Sequence, residues 1–465
     1  MLHPDRLFPT EENVRSIARS LYTEIKDVPI ISPHGHTDPA WFAENQPFSD
    51  PVSLLITPDH YVFRMLYSQG IELSQLGITS PGEHINGSIE EIWRYFATHY
   101  YLFRGTPSRI WLDHVFSEIF GIDIPLSKET ADQYFETINH ALRTPEYRPR
   151  ALFDRFNIEL LATTESPLDA LTHHDAILQS DWRGRVITTY RPDPVIDPEF
   201  EGFNDNVEQL AVLTNTDVSS FEGYLNALKD RRHYFKIRGA TATDHGHPTP
   251  ETADLSPITC ESLFQRVRST QVQPKDAALF RAQMLTEMAK MSLDDGMVMQ
   301  IHPGSHRNHN RDLFQTYGRD MGADIPMQTS YVDALKPLLD RYGNEKNLTV
   351  ILFTLDETTY SRELAPLAGH YPALKLGPAW WFHDSPEGMK RFRQHTLETA
   401  GFYNTVGFND DTRAFLSIPA RHDMARRIDC GHLAKLVAEY QLSESEALDL
   451  AHAVAYSLAK QAYKL

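Results

Sequence analysis

Two histidines separated by one glycine, His34 and His36, follow the short apolar run from Val28 to Ile31. In an extended strand, residues i and i+2 point to the same face, so both imidazoles would project side by side. Neutral imidazole nitrogens at the end of a strand are suitable ligands for one divalent metal ion. Taken alone, the tripeptide favours a surface turn, so the metal interpretation depends on the rest of the chain.

Further residues able to do chemistry follow later apolar runs in the same way. They are Arg191, His245, His302, Trp380, Trp381, Asp410, Asp411 and Arg413. If these runs are the strands of one closed barrel, the first and last strands are neighbours, and His34, His36 and Asp411 converge. Nitrogen and oxygen ligands without cysteine favour zinc or manganese and leave positions for water or substrate. Whether His245 and His302 also bind the metal stays open.

Arg191 follows Thr-Thr-Tyr at the end of an apolar run, where a buried charge needs a partner. A carboxylate bound by both arms of the guanidinium is the natural one, so Arg191 predicts an acidic ligand. The alternative is an ion pair with Asp193 or another nearby acid. Trp380 and Trp381 fit either barrel packing or contact with a sugar face.

The elements that must position these residues are apolar runs separated by helical stretches, and eight such runs occur. They are 28–31, 158–165, 186–193, 234–239 with its continuation to 246, 297–304, 348–356, 373–381 and 403–411. Eight strands alternating with helices predict a (β/α)8 barrel, in which catalytic groups collect at the carboxyl ends of the strands.

Helical periodicity surrounds this pattern. Residues 11–26 predict an amphipathic helix that leads into the first strand, and residues 50–150 predict a helical insertion rich in Trp and Tyr. Ser443 to Glu446 has the form of a capping box and begins a helical tail. We therefore divide the chain into residues 1–49 (first helix and strand), 50–150 (insertion), 151–430 (remaining barrel) and 431–465 (C-terminal helices).

The composition limits the function. The 465 residues are 41% hydrophobic and carry a net charge of −19, which argues against a nucleic-acid or anionic membrane surface. Two cysteines support neither a disulfide framework nor a thiolate metal site. Because we find neither an apolar span nor a signal segment, we expect a cytoplasmic protein. We also expect that the protein needs no organic cofactor. A homo-oligomer is compatible with the sequence.

The residues alone indicate a metal-assisted barrel enzyme for a polar, anionic small molecule, and hydrolysis and isomerisation both stay open.

Several motifs resemble those of uronate isomerases, which are metal-binding (β/α)8 barrels of the amidohydrolase superfamily. The matching segments are Pro33–His36, Asp59–Arg64, Arg191–Asp193, Asp244–Gly246, Gln300–Gly304 with Arg307 and Asn308, Ala379–Phe382, and Asp411–Ser417 followed by Arg421 and His422. The resemblance runs in order from about residue 6 to the C-terminus. The chain departs from the usual family pattern at three places beside the site: Thr163–Pro167, Gly304–Asn310 and Asn409–Asp410.

The resemblance implies interconversion of D-glucuronate with D-fructuronate and of D-galacturonate with D-tagaturonate. It implies Tyr61 as the base that takes the C2 proton, Asp411 as the group that opens the sugar ring, and His34 and Arg413 as stabilisers of the enediolate. It places the metal on His34, His36 and Asp411. The substrate contacts that it implies are His60, Arg191, His302, Arg307 and Trp381.

Tyr61 would need a nearby cation to act at neutral pH, and Arg413, His60 or the metal could provide it. Two rival functions share most of these residues. The first is a metal-dependent hydrolase or deaminase of the same superfamily, which does not require Tyr61 or Arg413. The second is a catalytically inactive barrel that binds sugar acids, and the presence of every motif residue argues against it.

Overall fold

A parallel sheet lies at the centre of the computed structural model, and His34 and His36 follow its first strand. The structure describes residues 2–83, 87–269 and 272–465. The strands are β1 (Ile30–Ser32), β2 (Ile158–Glu165), β3 (Arg185–Tyr190), β4 (Ala242–His245), β5 (Val298–Ile301), β6 (Ser305–His306), β7 (Ile325–Pro326), β8 (Val350–Leu352) and β9 (Leu374–Leu376). Seven of them pair in parallel in the order β1-β2-β3-β4-β5-β8-β9, and β6 and β7 form a separate antiparallel ribbon. This curled sheet, with its strand–helix alternation, confirms the predicted barrel.

The eighth barrel position differs from the prediction. Residues 403–411 do not form an extended strand, because a 3₁₀ turn at Phe402–Asn404 is followed by a single parallel bridge from Thr405 to Leu376. Gly407 has φ +75°, a conformation that interrupts a strand. The segment still closes the barrel beside β1, since the amide of His36 donates to the carbonyl of Thr412 at 3.0 Å.

The fourth predicted strand was placed too early. Residues 234–236 complete the helix Phe221–Lys236, and the strand itself is β4. The helix begins at Ser220, whose hydroxyl accepts a hydrogen bond from the amide of Gly223 at 3.1 Å. Its buried face contains Phe221, Tyr224, Leu228 and Phe235. Packing of this face makes residues 234–236 helical although their composition resembles that of a strand.

Helices precede the sheet, connect its strands and follow it. Those that precede β1 or lie between β1 and β2 are Glu12–Ile25, Pro39–Glu44, Pro51–Leu55, His60–Tyr67, Ile89–His99, Pro107–His114, Ala131–Leu142 and Pro149–Arg155. Those that follow β2 are Thr172–Leu178, Asp193–Ile196, Phe203–Thr214, Phe221–Lys236, Pro257–Val267, Pro274–Asp295, Arg311–Tyr317, Lys336–Tyr342, Ala365–Ala368, Pro386–Ala400, Ile418–Ala438, Glu444–His452 and Leu458–Tyr463. The predicted capping box is present, with Ser443 accepting from the amide of Glu446 and Glu446 accepting from that of Ser443. No helix within the described residues is both long and apolar enough to cross a membrane.

The helical insertion packs on the barrel. Its aromatic side chains Trp93, Phe96 and Tyr100 are fully buried in one cluster that also contains Ile30 of β1 and Ile158 of β2. Burial of each large apolar side chain contributes roughly 1.5–3 kcal/mol. The insertion is therefore held rigidly over the first strand, which places its helix His60–Tyr67 at the carboxyl end of the barrel.

His174, in the helix Thr172–Leu178, illustrates how burial couples this fold to pH. Its Nε2 is hydrogen-bonded to Thr163 Oγ1 of β2 at 2.9 Å, and burial lowers its pKa to about 4. In the unfolded chain this histidine binds a proton near pH 6.5. Above that pH it therefore does not lower the free energy of unfolding, and as the pH drops from 6.5 towards 4 the free energy of unfolding falls. We expect this one group to account for a loss of about 3 kcal/mol over that interval.

Urea denaturation at several pH values measures this effect. The wild-type free energy of unfolding should fall from pH 7 to pH 4, and His174→Asn should flatten that fall. An unchanged slope in the variant would contradict the assignment. Replacing the exposed His370 with Asn provides the control, because its slope should match the wild type.

Candidate active site

A cavity of about 680 Å³ opens at the carboxyl ends of the strands. Its lining contains every residue to which the family resemblance assigns a role: His34, His36, His60, Tyr61, Arg191, His302, Arg307, Trp381, Asp411 and Arg413. These residues come from strand ends, from the helical insertion and from the segment that follows residue 403. The barrel thus brings side chains up to 379 positions apart into one cavity, from His34 to Arg413.

His34, His36 and Asp411 form a compact candidate metal site in this cavity. Asp411 Oδ1 lies 3.2 Å from His36 Nε2 and 3.6 Å from His34 Nε2. One ligand atom from each residue lies within 4.8 Å of the others. Asp411 Oδ1 is buried and has no hydrogen-bond partner among the described residues, which leaves it available to a cation. Two imidazoles and a carboxylate suit a metal ion that keeps open positions.

Local backbone structure positions these three ligands. His34 and His36 follow β1, and Gln300 Nε2 of β5 is hydrogen-bonded to His34 Nδ1 at 3.3 Å. Asp411 has φ +40°, a left-handed conformation that is uncommon outside glycine, and its amide donates to Asn409 Oδ1 at 3.0 Å. Burial alone would raise the pKa of Asp411, but the adjacent His36 and His34 imidazoles lower it well below its usual range. Asp411 is therefore a carboxylate at neutral pH.

Arg191 lies in the same cavity and also contacts acids of its own chain. Its Nε lies 3.1 Å from Asp193 Oδ2 and its Nη1 lies 3.5 Å from Asp244 Oδ2. The ion pair with Asp193 considered from the sequence is therefore present, and Arg191 still lines the cavity. Gly246 packs against this pair, because a Cβ there would lie 2.6 Å from Arg191 Nη2 and 2.8 Å from His302 Cε1. A side chain at this position would require the Arg191 guanidinium or the His302 ring to shift.

Asp244 is a cavity residue that the sequence argument missed. His302 Nε2 lies 2.8 Å from Asp244 Oδ1, and Asp244 Oδ2 lies 4.0 Å from His34 Nε2. Burial opposes the charge of Asp244, but His302, His34 and Arg191 together hold its pKa well below the usual range. His245, the neighbour singled out from the sequence, does not line the cavity. The alternation of side chains along β4 is the signal that would have separated the two residues.

Tyr61 is held on the cavity wall by the insertion. Asp59 begins the helix His60–Tyr67 by accepting the Tyr61 amide at 2.9 Å. The guanidiniums of Arg64 and Arg421 each lie 5.3 Å from the centre of the Tyr61 ring. Burial nevertheless raises the pKa of Tyr61 above its ordinary value. Side chains alone therefore leave Tyr61 as a phenol at neutral pH.

The cations expected beside Tyr61 need correction. His60 stacks on Tyr61 with ring centres 4.5 Å apart, but burial, with Arg413 and Arg64, lowers its pKa to about 3. His60 is thus a neutral ring at physiological pH. Arg413 instead forms an ion pair with Asp320 at 3.0 Å. The guanidiniums that face the Tyr61 ring are those of Arg64 and Arg421.

Arg307 and Trp381 form another wall of the cavity. The Arg307 guanidinium lies 5.0 Å from the Trp381 ring centre, and its Nη1 lies 2.7 Å from Asp324 Oδ2. Trp381 has φ +53°, so its backbone, like that of Asp411, is left-handed. Asn308 and Asp320 also line the cavity with positive φ, and four such residues indicate that the surrounding structure specifies their direction.

This combination of a (β/α)8 barrel, strand-end histidines and a final aspartate defines a barrel enzyme of the amidohydrolase-like fold with a candidate metal site. The family model of glucuronate isomerase matches residues 11–463. The chain therefore belongs to the glucuronate isomerase family. This family assignment confirms that it is an aldose–ketose isomerase, and it favours isomerisation over the hydrolysis that the residues alone left open.

Individual relatives agree over the full length. The uronate isomerase of Phenylobacterium zucineum is 65% identical over 464 residues, covering 100% of this chain and 97% of the relative. The crystal structure of glucuronate isomerase from Caulobacter crescentus has a TM-score of 0.99 and 62% identity, covering 100% of this chain and 97% of the other. The uronate isomerase structure from Thermotoga maritima has a TM-score of 0.92 at 28% identity, with coverage of 100% and 99%.

Proposed function

We propose that this site interconverts D-glucuronate with D-fructuronate, and D-galacturonate with D-tagaturonate, by proton transfer through an enediolate. The observation that carries the proposal is the convergence of Tyr61, Asp411 and Arg413 with Arg191 in one cavity. Isomerisation needs a base at C2, help with ring opening and positive charge near the developing oxyanions. Hydrolysis needs neither the phenol nor Arg413 at this position.

Each residue then has a defined task. Asp411 accepts the hydroxyl proton that opens the sugar ring, for which its carboxylate form is suitable. Tyr61 in its phenolate form takes the C2 proton, and the phenol so formed returns a proton to C1 to give the ketose. Arg413 and His34 stabilise the enediolate by charge and hydrogen bonding. A zinc or manganese ion held by His34, His36 and Asp411 would supply positive charge for the substrate oxygens.

The remaining cavity residues bind and orient the substrate. Arg191 takes the C6 carboxylate, and Arg307, which also lines the cavity, is a second candidate for this contact. His302, His60 and Trp381 contact the sugar. The small uronate is the only partner that this chemistry requires.

Proton NMR with D-glucuronate in D₂O tests the proposal directly. We expect the ketose to form and to carry deuterium at C1, because the transferred proton exchanges at Tyr61. An N-acyl amino acid provides the parallel assay for hydrolysis and should remain intact. Folded, zinc-loaded protein that forms no ketose from either uronate would refute the proposal.

Replacing Arg191 with methionine should mainly weaken uronate binding. The methionine removes a cation that the substrate carboxylate uses, so we expect KM to rise about 10–100-fold with a smaller change in kcat. The measurement is steady-state kinetics with D-glucuronate. Arg266→Met, which breaks the surface ion pair with Asp276, is the matched control and should leave KM unchanged. Equal KM values in the Arg191 variant and the wild type would contradict the assignment.

A further inference from the structure

Asp193, His245 and His247 form a second cluster of ligand-type side chains, separate from His34, His36 and Asp411. All three are buried, and one ligand atom from each lies within 4.8 Å of the others. Asp193 begins the short helix after β3, and His245 and His247 lie at the end of β4 and just beyond it. We propose that this cluster is a structural binding site for a divalent transition-metal cation such as zinc.

His247 provides the strongest observation. Its side chain is only 1% exposed, and neither ring nitrogen has a hydrogen-bond partner among the described residues. The nearest carboxylate oxygen, Asp193 Oδ1, lies 3.9 Å from His247 Nε2, which is too far for a hydrogen bond. A buried imidazole without a partner costs free energy, and a cation between His247 and Asp193 would satisfy both.

His245 is already oriented as a metal ligand. Thr243 Oγ1 lies 3.0 Å from His245 Nε2, and the same hydroxyl donates to the carbonyl of Val298 at 3.4 Å. Because the hydroxyl proton is used on Val298, Thr243 accepts the Nε2 proton of His245. That tautomer leaves the lone pair on Nδ1, which has no hydrogen-bond partner among the residues the structure describes. A hydrogen bond that fixes the other ring nitrogen is typical of metal-binding histidines.

The charges around the cluster favour a cation. Asp193 accepts from the amide of Gly246 and contacts Arg191, but a carboxylate has enough lone pairs to bind an ion as well. Asp197 lies nearby and is paired with Arg281 at 2.8 Å, so that guanidinium is compensated. Burial lowers the pKa of His245 and of His247, which keeps both in the neutral form that metals bind.

The position of the cluster suggests its role. An ion there would link His245 at the end of β4 and His247, two residues beyond it, to Asp193 in the short helix after β3. Asp193 contacts Arg191 on its cavity side, so the ion would hold the support of Arg191 in place. Asp193 lines the cavity but His245 and His247 do not, so the ion would bind on the protein side of Asp193 and its role would be structural.

Zinc content after chelator treatment and reloading tests the site independently of activity. We expect His247→Asn to bind one zinc fewer per chain than the wild type. His36→Asn should also lose one zinc and retain the second, and His174→Asn, a buried histidine outside both clusters, should lose none. These values separate the two sites, because absence of metal at His34, His36 and Asp411 would leave the His247 difference intact. Equal zinc content in wild type and His247→Asn would overturn the proposal.

Anomalous scattering from zinc-loaded wild-type crystals provides a second measurement that does not depend on folding of a variant. A peak between Asp193, His245 and His247 is the expected result. Zinc-edge maps without a peak at that position would overturn the proposal even if the variants were unstable.

Discussion

Asp411→Asn is expected to lower kcat about a thousandfold and to remove the metal from the His34–His36 site. The amide keeps the size of the carboxylate but removes its charge and its ability to accept the ring hydroxyl proton. The substitution also removes the negative charge on Asp411 Oδ1, which lies 3.2 Å from His36 Nε2. A cation bound at this site needs that charge. The measurements are kcat with D-glucuronate and zinc content per chain.

Asp410 offers a control of the same type at the adjacent position. Its carboxylate lies 3.0 Å from His422 Nε2 and does not line the cavity. Asp410→Asn breaks this buried pair and should lower the free energy of unfolding while retaining the metal at His34 and His36 and most of kcat. If Asp411→Asn kept more than a tenth of wild-type kcat, Asp411 would not be the group that opens the ring.

The strand ends of this barrel could be predicted because their chemistry follows local apolar runs. His34, His36 and Arg191 lie where the runs predicted them, since strand direction and barrel closure require it. The extents of the strands could not be predicted as well. Residues 234–236 have the composition of a strand but complete a helix whose buried stripe begins at Phe221, which is tertiary packing that a short apolar window does not contain.

The electrostatic partners of the site were also beyond the sequence. Asp244 and His245 are adjacent, and only the strand's side-chain alternation decides which of them lines the cavity. Arg64 lies three positions after Tyr61 in the same helix, whereas Arg421 is 360 positions away, and its contact with Tyr61 depends on how the insertion packs over the barrel. Local patterns and the family resemblance therefore predicted the proposed reacting groups, whereas most of the charged groups around them required the fold.

Tyr61→Phe is the prediction that most directly tests the proposed base. The ring packs 5.5 Å from that of Trp111 and beneath two guanidiniums, and phenylalanine preserves these contacts. We therefore expect little change in stability or KM but a 10²–10⁴-fold lower kcat, because only the acid–base function is lost. Exchange of the C2 proton with D₂O, followed by NMR, should fall by the same factor.

The pH dependence separates a base from a merely structural tyrosine. Burial raises the pKa of Tyr61, so the rate in the proposed mechanism should rise with pH as the phenol loses its proton. Fluorotyrosine at position 61 lowers the phenol pKa and should shift that rise to lower pH. Tyr100→Phe, which removes a hydroxyl that donates to Asp113 in the insertion, should change neither kcat nor the pH profile. A Tyr61→Phe enzyme within threefold of wild-type kcat would assign the C2 proton to another group in the cavity.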